Sequence, residues 1–391
     1  MTRLLIHNAQ LLTPLGPWPI GWLLVDGPRI HSLGPGRPPT YADGDGVDSI
    51  DARGLTLAPG FIDLHVHGAV GHEVMDANAD GLRAMARFYA RHGVTAFLPT
   101  TWTATGEAIL NALQVVRDCL GPVEGGATIL GAHIEGPYLN ASKCGAQDPA
   151  LIRQAKPDDA LPILDTGLVR LLALAPEIAE NGWLIDACVQ RGITVSAAHT
   201  AATYADMVAA VARGLRQTTH TFNAMTPLGH REPGVVGAAL ALPELMCELI
   251  ADGIHVHPAA MRVLVQAKGV DRVILISDAI RGAGLPDGEY PIDTRVVHVR
   301  DGAVRLPDGT LAGSTLTMDR ALGNLLAATG LPLSVAWPMS SLNAARAIGM
   351  SARKGSLEAG KDADLVLLEP DATVRLTVAE GKIVFAGGLE H

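Results

Sequence analysis

Through the middle of the chain, short apolar runs of strand length alternate with stretches whose apolar residues recur at helical spacing. The runs are Gly60–Val66, Val94–Thr100, Thr128–Glu135, Val169–Ala175, Thr194–His199, Thr218–Phe222, Cys247–Ala251 and Arg272–Ser277. They are nearly continuous in Val, Ile, Leu and Ala, as parallel strands buried on both faces require. Between them, segments such as Gly81 to His92 and Pro258 to Lys268 carry the helical period and end near glycine. Eight strands alternating with helices predict an α/β chain folded as a (β/α)8 barrel of the TIM type. The alternative, an open doubly wound sheet, wants a GxGxxG or GxxxxGK[ST] phosphate loop after an early strand, and the sequence has neither.

The two ends follow another pattern. Leu4–Ile6, Trp22–Val25 and Arg29–Leu33 are strand-like, with a turn at Asp26-Gly27-Pro28, and Gly34 to Gly46 reads as loop. Asp364–Leu368 and Ile383–Ala386 are strand-like as well, with a hairpin turn at Gly381-Lys382. These ends predict a small composite β-sandwich domain from residues 1–58 and 351–391, flanking a barrel of residues 59–350.

Composition narrows the function. Of 391 residues 48% are hydrophobic and 18% charged, enough for a large core and against disorder. Aromatics are only 4%, so aliphatic side chains must fill that core. A net charge of -10 argues against nucleic acid as a partner, and any anionic ligand needs a local positive pocket. No apolar run has the length of a membrane span and no basic amphipathic stretch suits a membrane surface. Cys119, Cys144, Cys188 and Cys247 are scattered, without the spacing of a zinc knuckle or a disulfide framework. Met1 to Gln10 lacks the layout of a signal peptide, so a reducing cytoplasm is the expected setting.

In such a barrel, chemistry gathers where the strands end. The first strand ends in His65-Val66-His67, the third in His133-Ile134-Glu135, the fifth in His199 and the eighth in Ser277-Asp278. His220 and Asn223 follow the sixth, and Asp252, His255 and His257 the seventh. Residues two apart on a strand share a face, so His65 and His67 can both point inward. Imidazoles joined by carboxylates suit a borderline divalent metal such as zinc or iron. Each residue alone has a bland reading: Asp278 as a helix cap, Arg231 in a surface ion pair with Glu232, His257 at a helix start before Pro258. The clustering at matching strand ends is what favours a metal site.

The run Pro59-Gly-Phe-Ile-Asp63-Leu-His65-Val-His67-Gly68 resembles the opening motif of the amidohydrolase superfamily, and Gly355-Ser-Leu-Glu-Ala-Gly360-Lys-Asp-Ala-Asp364 its closing motif. More specifically, His133-Ile-Glu135-Gly-Pro-Tyr-Leu139, Leu174-Ala-Pro-Glu177, Ala198-His199-Thr200, Thr219-His220-Thr-Phe-Asn223-Ala224-Met225, Arg231-Glu-Pro-Gly234 and Ala251-Asp-Gly-Ile-His255 resemble the N-acetylglucosamine-6-phosphate deacetylase family. The resemblance implies one or two divalent metals per subunit. Glu135, His199 and His220 would hold one; His65 and His67 would hold a second, bridged by Glu135, because the fourth strand carries no lysine for the bridging role seen in many superfamily members.

It further implies hydrolysis of the acetamide of an amino-sugar phosphate by metal-activated hydroxide, a metal lowering the pKa of bound water toward about 7. Asp278 would shuttle the proton from water to the leaving nitrogen. Asn223, the backbone N–H of Ala224 and Arg231 would grip the phosphate, and His255 would orient the ligand. Gln147 stands where some relatives have a histidine that touches the substrate carbonyl; the alternative is a solvent-facing loop residue beside the turn at Asp148-Pro149. Glu177 either supports the site from behind or simply closes its strand. A homodimer is implied by resemblance. The galacto epimer of the substrate stays open as a rival, as does a cyclic amidase, which would bring the bridging lysine. A non-catalytic barrel would have lost the ligand residues that this chain keeps.

Overall fold

A computed structural model describes residues 3–40, 46–293 and 295–388. The eight barrel strands are β1 (Phe61–Val66), β2 (Val94–Thr101), β3 (Ala132–Glu135), β4 (Val169–Leu174), β5 (Thr194–Ala197), β6 (Gln217–Thr218), β7 (Met246–Ile250) and β8 (Val273–Ile276). All neighbours from β1 to β8 pair in parallel. Thr128–Ile129 also pairs with β2, just before β3. The barrel closes at its top, where Val66 bridges Ala279 and the Asp278 N–H donates to the His65 carbonyl at 2.9 Å. Each strand falls within a residue or two of its expected run, except β3, which begins four residues late because Thr128–Ile129 forms a separate short pairing, and β6, which is paired over only two residues because the chain turns sharply at His220. The expected helices are present as Ala79–Arg91 and Pro258–Lys268; His257 caps the latter, accepting from the Ala259 N–H.

The termini join in one hydrogen-bonded sheet. Arg3–Thr13, Gly16–Asp26 and Arg29–Pro35 form an antiparallel meander. Val47–Asp51 and Thr56–Pro59 run parallel to successive halves of the first strand. Thr56–Pro59 then pairs antiparallel with Leu365–Leu368, followed by Val374–Ala379 and Lys382–Ala386. The path is one eight-stranded sheet that forks at Arg3–Thr13. Three of its strands, Val47–Asp51, Thr56–Pro59 and Val374–Ala379, are absent from the sequence expectation. The hairpin turn lies at Glu380-Gly381, one residue earlier than expected. Gly381 has φ 78°, and a Cβ there would lie 1.8 Å from the Gly27 carbonyl oxygen, so two turns of the sheet meet where only glycine fits. Of the expected Gly34–Gly46 loop, residues 41–45 lie outside the described residues.

The closing motif clamps this sheet to the barrel. Buried Lys354 places Nζ 2.7 Å from Asp364 and 2.9 Å from Asp362. Asp362 also pairs with Arg29 and Arg353, so the network reaches both ends of the chain. A further antiparallel sheet, Gly288–Ile292, Arg295–Arg300, Ala303–Arg305 and Leu311–Ser314, follows β8 and was not expected. Its apolar face, including Ile292, Val297 and Val304, packs on Trp102 and Ala146 at the barrel mouth. Among the described residues no single helix is long and apolar enough to cross a membrane.

Candidate metal centre

The ligand residues are carried just past the strand ends by backbone that turns inward. His199 (φ 43°), His220 (φ 32°) and Asp278 (φ 52°) are all in the left-handed region. For a residue with a Cβ this costs about 1–3 kcal/mol, a strain typical of functional positions held by their surroundings. The holding contacts are visible: the Asn140 N–H donates to the His199 carbonyl at 2.9 Å, and the Ser314 N–H to the Asp278 carbonyl at 2.8 Å. The unexpected sheet therefore helps set the position of Asp278.

Six side chains converge. The Nε2 atoms of His65 and His67 lie 3.2 Å apart, and each is 3.2–3.5 Å from Glu135 Oε2 and from Asp278 Oδ1. On the other side of Glu135, Oε1 lies 3.3 Å from His199 Nε2 and 3.0 Å from His220 Nε2, themselves 3.2 Å apart. Glu135 thus turns one oxygen to each histidine pair. The six residues form two buried triads, His65–His67–Asp278 and Glu135–His199–His220.

This arrangement fits divalent ions. A tetrahedral ion with ligands at about 2.0–2.1 Å spaces those ligands about 3.3 Å apart, the spacing found here. Facing Nε2 atoms of two neutral imidazoles cannot hydrogen-bond if both present lone pairs, whereas both can donate to one cation. Three of the four Nδ1 atoms are engaged elsewhere: His65 with Glu248 Oε2 at 3.3 Å, His67 with the Thr100 carbonyl at 3.2 Å, His199 with the Lys143 carbonyl at 2.9 Å. Such partners fix ring and tautomer so that Nε2 faces the cluster.

The electrostatics agree. Among the described residues no lysine or arginine pairs with Glu135 or Asp278. Burial disfavours a charged His65, but the carboxylates of Glu135 and Asp278 outweigh it and hold its pKa well above the ordinary value. Burial likewise pushes Glu135 and Asp278 up, and the histidines, His65 foremost, bring both below the usual carboxylate range. The protein by itself therefore draws positive charge onto the imidazoles, a demand that a divalent cation answers.

The cluster opens into a cavity of about 330 Å³, lined among others by Asn223, Ala224, Gln147, His255, Lys143 and Trp102. Gln147 is buried, which removes the solvent-facing alternative. Its Oε1 accepts from the Thr103 N–H and its Nε2 donates to Glu135 Oε2, both at 2.8 Å. Gly145, at φ 54°, would bring a Cβ within 3.2 Å of the His199 ring, so the loop after β3 lies directly against that ligand. His255 also faces the cavity, its Nδ1 2.6 Å from Asp252 Oδ2. Arg231 is exposed and does not line the cavity; the structure does not bring it to the other predicted residues. Glu177 closes its strand as a brace, accepting from Asn140 Nδ2, Thr200 Oγ1 and the Ala201 N–H.

Residues 56–384 match the model of the amidohydrolase family. The chain belongs to the amidohydrolase family. Within it, the chain is 37% identical over 390 residues to N-acetylglucosamine-6-phosphate deacetylase of Bacillus subtilis (strain 168), covering 98% of this chain and 97% of the relative. It is 40% identical to N-acetylgalactosamine-6-phosphate deacetylase of Escherichia coli O157:H7, over 84% of this chain and 87% of the relative. In three dimensions it resembles a mutant of the Mycobacterium smegmatis N-acetyl-D-glucosamine-6-phosphate deacetylase solved in complex with N-acetyl-D-glucosamine-6-phosphate. That match has a TM-score of 0.91 and 33% identity, and covers 99% of this chain and all of the other.

Three features of this amidohydrolase's site escaped the sequence reading. Trp102 stacks on His67 with ring centroids 3.9 Å apart. Lys143 lines the cavity from the loop after β3. Glu248 lies fully buried behind His65. A charged residue inside the apolar run Cys247–Ala251 was the available signal for Glu248; nothing local distinguishes Trp102 or Lys143.

Proposed function

We propose that the chain hydrolyses the acetamide of N-acetylglucosamine 6-phosphate to glucosamine 6-phosphate and acetate. The observation that carries this reading is Glu135, whose two oxygens face two separate histidine pairs beside Asp278 on the wall of one cavity. Near full-length similarity to named deacetylases supports the choice of substrate.

Glu135, His199 and His220 would hold one divalent ion, zinc or iron, and His65 and His67 would hold a second. Asp278, read from sequence as a shuttle alone, is also near enough to join the second position. A bound ion supplies Lewis acidity at the acetamide carbonyl and lowers the pKa of water toward about 7. Asp278 takes the proton from the attacking water and delivers it to the nitrogen, without which the amine is a poor leaving group. Asn223 and the Ala224 N–H receive the phosphate and His255 orients the ligand, with Arg231, which stands outside the cavity in this structure, reaching the phosphate by movement of its loop. Asp252 holds His255: burial pushes its carboxyl up, but hydrogen bonds and charge from His255 bring it below the ordinary value.

A second reading is the same reaction on N-acetylgalactosamine 6-phosphate, favoured by the Escherichia coli O157:H7 relative. Assaying acetate release from both epimers and from unphosphorylated N-acetylglucosamine separates these readings: faster release from the gluco phosphate supports the first, and faster release from the galacto phosphate supports the second. A reducing cytoplasm, a homodimer, and a division into barrel residues 59–350 and composite residues 1–58 and 351–391 complete the proposal. The four unpaired cysteines agree with that setting.

A further inference from the structure

Glu248 lies on β7 below the ligand cluster and is fully buried. Its Oε2 is 3.3 Å from His65 Nδ1 and accepts from the His220 backbone N–H at 3.3 Å. Its Oε1 accepts from Gln217 Nε2 at 2.5 Å. Thus a buried carboxylate has three N–H partners and, among the described residues, no lysine or arginine. Such a group is costly unless a positive charge lies near it.

The partners of the other imidazoles show what is particular here. His67 and His199 are held at Nδ1 by backbone carbonyls, which no substitution removes. His220 Nδ1 has no partner in the structure. Among these four imidazoles and the described residues, only His65 is held at Nδ1 by a side chain. A carboxylate oxygen facing Nδ1 accepts from it, which leaves Nε2 of His65, turned to His67, Glu135 and Asp278, as the atom that can bind an ion. A carboxylate behind a histidine also raises the donor strength of the ring.

We propose that Glu248 is a positioning residue that fixes the ring and tautomer of His65, and so governs ion binding at the His65–His67–Asp278 position rather than at Glu135–His199–His220. This rests on reading the cluster as a two-ion centre. Gln217 completes the device. Its Oε1 is buried without a partner, so its amide can turn to accept from a glutamine placed at 248. A Glu248→Gln variant therefore keeps an oxygen for His65 Nδ1 but loses the charge, whereas Glu248→Ala loses both.

The test uses the full-length protein, stripped with a chelator and titrated with Zn²⁺ in metal-buffered solution, with bound zinc counted by elemental analysis. Wild type is expected to take up two ions per chain. In Glu248→Ala the second equivalent should bind about 10–100-fold more weakly, with the first unchanged. In Glu248→Gln the second should weaken by about tenfold, again sparing the first. If the alanine variant does not fold, the near-isosteric glutamine variant decides alone. Two equivalents at wild-type affinity in the folded variants, or equal weakening of both equivalents, overturns the inference while leaving the metal reading intact. Wild-type protein that takes up fewer than two ions overturns the two-ion reading and the inference together.

Discussion

Gln147 donates from Nε2 to Glu135 Oε2 at 2.8 Å, the oxygen that faces His65 and His67. Its other end is anchored on the Thr103 N–H. The side chain expected to point at the substrate carbonyl is thus engaged in aiming the carboxylate between the two histidine pairs. Gln147→Ala should lower zinc affinity by about 10–100-fold and reduce kcat, since partners of this kind orient the ligands themselves. Competition with a chelating dye measures the affinity; wild-type affinity in this variant would show that Glu135 needs no such support.

Asp278 is held in its ionised form by His65 and His67 against the effect of burial. It can therefore accept a proton throughout the neutral range. Asp278→Asn preserves shape but cannot carry that proton, and kcat should fall by about 10²–10⁴-fold. The Glu135–His199–His220 position should keep its ion. Near-normal turnover in this variant would remove Asp278 from the proton path.

Arg231 is exposed and stands outside the cavity in this structure. Arg231→Ala should raise KM for the phosphorylated sugar and leave the unphosphorylated sugar nearly unchanged. A charge-assisted hydrogen bond is worth about 1.5–3 kcal/mol, or roughly tenfold and upward in kcat/KM. Equal losses on both sugars would assign Arg231 a structural role.

The barrel was legible because its strands are continuous apolar runs whose ends carry nearly all the histidine and carboxylate chemistry. The six converging residues were found for the same reason. What was missed lay outside that frame. Val374, Leu376 and Val378 alternate with Arg375 and Thr377, an apolar–polar strand pattern that stands between two stronger runs. The sheet over the mouth has the same alternation at Val297 and Val299, but its strands follow a barrel already counted complete. Arg231 shows the opposite limit: a motif gives residue identity, whereas placement depends on how its loop folds, and here the loop leaves the guanidinium in solvent.

Ion stoichiometry tests how the ligands are divided. His65→Ala combined with His67→Ala should leave one ion, bound by Glu135, His199 and His220. Glu135→Ala should weaken both positions, because its oxygens face both pairs. Elemental analysis of the folded variants reads this directly. Loss of all metal from the double histidine variant would mean that the two triads are not separate positions.

The most direct test of the central claim is the release of acetate and free amine from N-acetylglucosamine 6-phosphate by chelator-stripped protein before and after zinc or ferrous iron is restored. The account predicts no turnover in the stripped protein and equimolar acetate and glucosamine 6-phosphate once metal is returned. Undiminished turnover in the metal-free protein, or no acetate from either phosphorylated epimer in the metal-loaded protein, would contradict it.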